Sequence, residues 1–110
     1  MRIKKGTYRV ATGNGWEETQ GSYANSYPFY IHRHHSDKLW SVSHMATGYS
    51  IKKGMKLKDA KTLVRQLKPY PLFLVPTIDT FTRQLEVMKD SQPTKHKEMV
   101  TIIANAKETT

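Results

Sequence analysis

The 110-residue sequence contains no cysteine. Without thiols the chain can form neither a disulfide framework nor a thiolate zinc site, and thiol catalysis is excluded. Acidic residues are also scarce, because 9 Asp and Glu stand against 18 Lys and Arg and give a formal net charge of +9 with histidine neutral. A charge of this sign and size indicates a negatively charged partner and argues against an acidic DNA mimic.

Long apolar runs are missing as well. No stretch approaches the roughly 18 apolar residues that a membrane span requires, and the basic start lacks the apolar run of a signal peptide. Apolar residues make up 37% of the chain, below the usual ~45–50%, so the core should be modest. We expect an unprocessed, soluble, cytoplasmic protein that makes no contact with membranes and forms a single domain over residues 1–110.

The charge is unevenly distributed along the chain. Residues 1–70 hold 13 basic and 4 acidic side chains, whereas residues 71–110 hold 5 of each, so the whole net charge of +9 belongs to the first part. We therefore expect residues 1–70 to form a basic sheet-plus-helix part that carries the function. Residues 71–110 should form a neutral helical part that supports it.

The first half of the chain has the alternating apolar pattern of β-strands. It predicts a hairpin near residues 7–20 around Asn14-Gly15, a loop at 21–27, and a strand that begins at Phe29. A third strand over 39–45 and a fourth over 49–53 should flank a turn at Thr47-Gly48. Because such short connections cannot join parallel strands, we expect an antiparallel meander of three to five strands.

Helical spacing begins after Gly54. One apolar stripe predicts a helix that ends before Pro69 and has a poor cap at Lys56; it consists of Ala60, Leu63, Val64 and Leu67. Residues 69–76 should form either a short edge strand or a buried extended connection. Thr77 and Thr94 are suited to cap two further amphipathic helices that form an αα-hairpin. The fold class is therefore α+β, with one amphipathic helix packed on the sheet.

Alternation sorts the strand residues onto two faces. The predicted buried face carries Tyr8, Val10, Phe29, Ile31, Trp40, Val42, Tyr49 and Ile51. The predicted outward face carries Arg9, Tyr30, His32, His34, Ser41, Ser43 and Lys52. The hydroxyl, imidazole and aromatic groups of Tyr30, His32, Ser41 and Ser43 suit stacking or base contacts, whereas the alternative is an ordinary solvated face.

The predicted helix also has a basic flank. Lys58, Lys61, Arg65 and Lys68 fall within an arc of roughly 80°. Like charges at this spacing repel one another, which favours phosphate contact over a merely solvated face. Further phosphate contacts are expected from Arg9, Arg33, Lys52 and Lys53, and Lys56 extends the same patch.

The histidines near residue 34 are the most conspicuous local cluster. His32 and His34 project from one side of a strand, as metal ligands often do, but Arg33 lies between them and Asp37 is the one carboxylate nearby. We expect neither a metal site nor a cofactor. Protonation of the cluster in mild acid would strengthen the binding of an anion. No paired carboxylates, Walker pattern or nucleophile motif is present, so we expect no enzymatic activity.

Residues Tyr27 to Leu67 run through strands, a turn at Gly48, Gly54 and a helix, with Trp40-x-Val42 and Asp59-Ala60 at set places. This stretch resembles the sheet-plus-helix DNA-binding domains of mobile-element tyrosine recombinases and of ethylene-response-type transcription factors. In those families the sheet enters the DNA major groove. The resemblance thus implies readout by Tyr30, His32, Ser41, Ser43 and Lys52. The short basic chain also looks like a phage accessory protein.

These observations predict a nucleic-acid-binding accessory protein of a phage or mobile element, whose ligand is DNA or RNA, single- or double-stranded. The alternative is a phage-encoded inhibitor, such as an anti-defence or anti-CRISPR protein, that binds an acidic host protein surface or its nucleic-acid complex. The C-terminal helices would then dimerise or dock a partner, in place of completing the core.

Overall fold

The structure is a computed structural model and describes residues 2–12 and 14–107. Five strands form one antiparallel sheet in the order β1-β2-β3-β4-β5, so β1 and β5 are its edges. The strands are β1 (Lys4–Thr12), β2 (Gly15–Ser26), β3 (Phe29–His34), β4 (Trp40–His44) and β5 (Ser50–Met55). The helices are α1 (Leu57–Leu67), α2 (Ile78–Ser91) and α3 (Pro93–Asn105). The predicted α+β class is confirmed.

Strand β2 corrects the prediction of a loop at residues 21–27. It continues to Ser26 because it pairs with both neighbours, with Gly21 opposite Gly6 on one side and His34 on the other. Thr12 pairs with Gly15, so Gly15 belongs to β2 and not to the predicted turn. Gly13, which belongs to this turn motif, lies outside the described residues. Because β2 contains several small residues, its apolar pattern is weak. Its pairing with β1 and β3 defines it as a strand.

The main core lies between α1 and the sheet. The predicted stripe of α1 is buried, and it packs against Phe29, Ile31, Trp40 and Val42. Helix α1 ends at Leu67 and has no side-chain cap at Lys56, as the sequence indicated. Helical periodicity therefore predicted the face that this helix buries, and Pro69 predicted where it ends.

The chain after α1 differs from both predicted alternatives. Residues 71–74 form a short 3₁₀ helix, Pro71–Leu74, that buries Leu72 and Phe73. Proline is suited to its first turn because the missing N–H would have no partner there. The predictions of an edge strand and of an extended connection are both wrong.

The two C-terminal helices pack on the core. Thr77 caps α2 by accepting a hydrogen bond of 3.2 Å from the Thr80 N–H, as predicted. Thr94 is not a cap: α3 begins at Pro93, and its N-cap is Gln92 without a side-chain bond. The apolar faces of both helices lie against the core through Phe81, Leu85, Met88, Met99 and Ile103. These side chains therefore contribute to the core.

The sheet coils so that its first hairpin covers the face opposite the helices. The Tyr8 ring lies 4.9 Å from the His32 ring, and the Tyr30 hydroxyl donates to the Arg9 carbonyl oxygen at 2.7 Å. The hairpin tip meets the β4–β5 turn, where a Cβ on Gly48 would lie 2.5 Å from the Trp16 ring. The sheet therefore has buried residues on both faces.

This coiling changes two face assignments. Tyr8 is buried as predicted, but against Tyr23 and His32 on the side away from the helices. Tyr49 is 54% exposed, so its predicted burial is wrong. Within the part of the chain that the structure describes, no helix combines the length and apolar character needed to cross a membrane.

Candidate nucleic-acid interface

Four cations lie together on the outer flank of α1, and we call them the α1 basic flank: Lys58, Lys61, Arg65 and Lys68. Lys61 is half-buried and the others are exposed. Their side chains have no ion pair or hydrogen bond with any residue in 2–12 or 14–107. Gln66, on another side of α1, lines a groove with α2 and α3. The basic flank lies outside this groove and is open to solvent.

The absence of acidic partners sets the electrostatic character of this flank. Asp59 is the one acid within α1, and the ion pair recorded for the described residues joins Lys89 and Glu86 on α2. Like charges three and four residues apart on a helix destabilise it by a few tenths of a kcal/mol per pair. A bound polyanion would relieve this repulsion.

Lys52 does not face outward as predicted. Its ammonium donates to the carbonyl oxygens of Ile103 at 2.7 Å and Ala104 at 3.2 Å. A cation at the carboxyl end of a helix satisfies carbonyl groups that lack partners and interacts favourably with the helix dipole. The prediction that Lys52 lies on the outward face is therefore wrong, because this side chain anchors α3 to β5.

Lys53 and Lys56 remain exposed beside the sheet and α1. Lys53 lies close enough to His32 for its charge to disfavour protonation of that ring. It is therefore placed toward the face that the first hairpin covers. Of the three lysines that precede α1, Lys53 and Lys56 stay available for phosphate contact, whereas Lys52 does not.

Contacts with nearby residues fix the Arg33 side chain. Its Nη1 donates to the Asp37 carbonyl oxygen at 2.6 Å, and its guanidinium carbon lies 5.4 Å from the centre of the Trp40 ring. Its buried Nε has no partner among the described atoms. These contacts fix the β3–β4 loop and leave part of the Arg33 guanidinium accessible.

The predicted outward face is largely covered. Tyr30, His32 and Ser43 are 6%, 8% and 1% exposed, so the prediction that they form an open readout surface is wrong. Ser41 is half-buried. The His32 Nε2 lies 2.7 Å from the Ser43 hydroxyl, and its ring stacks on Tyr30 at 4.9 Å. The first hairpin, whose Tyr8 ring packs against the His32 ring, is what hides them.

Burial changes the acid–base behaviour of His32. Removal from water, which is the larger cause, and the nearby charge of Lys53 together lower the pKa of His32 from 6.5 to about 4. His32 is therefore neutral in mild acid. The expected strengthening of anion binding in mild acid cannot come from this histidine.

We expect stability to fall with acid because of His32. The pKa of His32 is 6.5 in the unfolded chain and about 4 in the folded chain. The contribution of His32 to the free energy of unfolding is therefore complete above pH 6.5 and is lost as the pH falls toward 4. The loss from pH 7.5 to 4.5 should be roughly 2–3 kcal/mol. Urea denaturation of wild type and His32→Gln at both pH values measures it. An equal loss in both proteins contradicts the assignment.

The other histidines of the predicted cluster have separate environments. His34 and His35 stack at 4.0 Å, and the His34 Nδ1 lies 2.6 Å from the Ser36 hydroxyl. His44 is buried beneath the helices, where its Nε2 donates to the Phe73 carbonyl oxygen at 2.6 Å and its Nδ1 accepts from Thr47 at 2.8 Å. Over residues 2–12 and 14–107, no three His, Cys, Asp or Glu side chains are grouped to hold a metal.

Two concave surfaces of the structure were not predicted from the sequence. A groove of about 550 Å³ between α1, the 3₁₀ helix, α2 and α3 is lined by Tyr70, Leu72 and Val87 among others. An open cleft of about 470 Å³ lies between the first hairpin and the β4–β5 turn, with Arg9 and Asn25 at its border.

The geometry defines the class as an α+β protein with a coiled five-stranded sheet and a basic helical flank. Comparison of the chain with protein-family models, curated proteins and solved structures gave no match.

Proposed function

We propose that this is a nucleic-acid-binding accessory protein, of the kind that phages and mobile elements encode, and that it binds phosphates through the α1 basic flank. The observation that carries the proposal is the presence of four adjacent cations without acidic partners among the described residues. Phosphate contacts by Lys and Arg supply most of the affinity for a nucleic-acid backbone.

The proposed interface is narrower than the sequence prediction. The α1 basic flank with Lys53 and Lys56 supplies six exposed or half-exposed cations, whereas Lys52 and Arg33 donate hydrogen bonds to backbone carbonyl groups of the protein. Base readout by Tyr30, His32 and Ser43 is not part of the proposal, because these side chains are buried. Binding through phosphates alone should depend weakly on base sequence.

A mobility shift with single- and double-stranded DNA and RNA at near-physiological salt tests the proposal. Six phosphate contacts predict a slope of log K against log salt of about −5 on duplex DNA, since each contact contributes about −0.9. A slope near zero, or no complex with any of the four nucleic acids, contradicts it.

The second candidate is an inhibitor that binds an acidic host protein. The groove beside Tyr70 and Leu72 favours it, because Val87 on its rim is 50% exposed. Capture of one host protein from nuclease-treated lysate at high salt, abolished by Val87→Glu, would support this candidate. Nucleic acid would not survive that treatment.

A further inference from the structure

The cleft beneath the first hairpin combines aromatic rings with hydrogen-bonding groups. It has a volume of about 470 Å³, and its lining includes Tyr8, Arg9, Trp16, Tyr23, Asn25 and Tyr30. Sites for small organic ligands commonly measure about 300–1,000 Å³ and pair apolar walls with a few polar groups. The cleft is therefore large enough for one nucleotide.

The aromatic residues of the cleft differ in exposure, from the buried Tyr8 at its back to the exposed Trp16 at the hairpin tip. Tyr8 is 7% exposed and lies with its ring centre 6.1 Å from that of Tyr23, while Trp16 is 43% exposed at the hairpin tip. Stacking on such rings tolerates any base, because every base has a π-face. Tyr30 closes the cleft from below and is fixed by its bond to the Arg9 carbonyl.

Polar groups at the border of the cleft are of the kinds that bind the phosphate and the base edge of a nucleotide. The Arg9 guanidinium carbon is held 4.8 Å above the centre of the Trp16 ring, which places a cation at the mouth of the cleft. The exposed amide of Asn25 has no hydrogen-bond partner among the described residues. A guanidinium recognises phosphate, and an amide pairs with the donor and acceptor edge of a base such as adenine.

We infer that this cleft binds a nucleotide, with the base against the accessible parts of Tyr23 and Trp16 and with the phosphate on Arg9. The Asn25 amide contacts the edge of the base. The ligand is either a free nucleotide or one residue of a single strand, since both offer the same base and phosphate. This site shares no residue with the α1 basic flank and does not depend on it.

Calorimetric titration with AMP, ribose 5-phosphate and a single-stranded hexamer of deoxyadenosine tests the inference. AMP should bind at least about tenfold more tightly than ribose 5-phosphate, which lacks the base. Arg9→Gln and Asn25→Ala should each weaken AMP about tenfold, the effect of one lost charge-assisted or bidentate bond. Both side chains are exposed, so the fold should tolerate these changes, which circular dichroism verifies.

Lys5→Gln is the matched control, because Lys5 lies on the same strand, is exposed and does not border the cleft. It should leave AMP affinity unchanged within about twofold, which is near the effect of an ordinary surface change. Tighter binding of the hexamer with the same dependence on Arg9 and Asn25 identifies a single strand as the source, and equal binding identifies the free nucleotide.

Two results would overturn the nucleotide site. One is equal affinity for AMP and ribose 5-phosphate. The other is that binding of neither AMP nor the hexamer responds to Arg9→Gln or Asn25→Ala. A variant in which the α1 basic flank is neutralised should still bind AMP, which separates this site from the proposed phosphate interface.

Discussion

Replacement of all four residues of the α1 basic flank by glutamine is expected to weaken binding to duplex DNA by roughly 100- to 1,000-fold near 0.1 M salt. The expected slope of log K against log salt falls from about −5 to about −2, since four of six phosphate contacts are removed. Glutamine has a helix propensity close to that of lysine and arginine, so α1 should remain folded. Fluorescence anisotropy with a labelled duplex at several salt concentrations measures both quantities.

A matched variant separates the flank from total charge. Replacement of Arg83, Lys89, Lys95 and Lys97 by glutamine removes the same four charges from α2 and α3, and in both variants the formal charge becomes 9 − 4 = +5. We expect this control to keep most of the affinity and the steep salt dependence. Equal weakening in the two variants would show that net charge, and not the flank, attracts the DNA.

Gly21→Ala is expected to destabilise the protein by about 3 kcal/mol, at the upper end of ordinary single substitutions. A Cβ at Gly21 would lie 2.0 Å from the carbonyl oxygen of Arg33 and 2.9 Å from the Cα of His34. Both contacts are with backbone, so no side chain can rotate away, and β2 must separate from β3. The strain falls where the sheet coils toward Tyr8.

Urea denaturation of Gly21→Ala measures this effect. Gln20→Ala is the control, because Gln20 is an exposed neighbour in the same strand and should change stability by less than about 0.5 kcal/mol. If Gly21→Ala unfolds at the wild-type urea concentration, the close approach of β2 and β3 is not a constraint on the fold.

Local periodicity was sufficient for α1 and α2. The stripe of Ala60, Leu63, Val64 and Leu67 and the cap at Thr77 depend on neighbours within a turn or two of the same helix. Their positions could therefore be predicted from the sequence, and the structure confirms them.

The burial of the predicted site could not be read from the sequence for a physical reason. Alternation assigns residues to two faces but does not say whether the second face meets water, and half-solvated antiparallel sheets are common. The contact of the Tyr8 ring with the His32 ring joins β1 to β3, and the bond from Lys52 to Ile103 joins residues 51 positions apart. Contacts of that range leave no periodic signal.

The basic side chains on β1 have a second consequence, because β1 is an edge strand of the sheet. In the order β1-β2-β3-β4-β5 this strand has one neighbour, so its outer edge has no strand partner. Such edges promote aggregation unless charged side chains keep other chains away. Lys4, Lys5 and Arg9 stand exposed along β1. Their mutual repulsion between molecules opposes edge-to-edge assembly, so the basic composition also protects the chain in its free state.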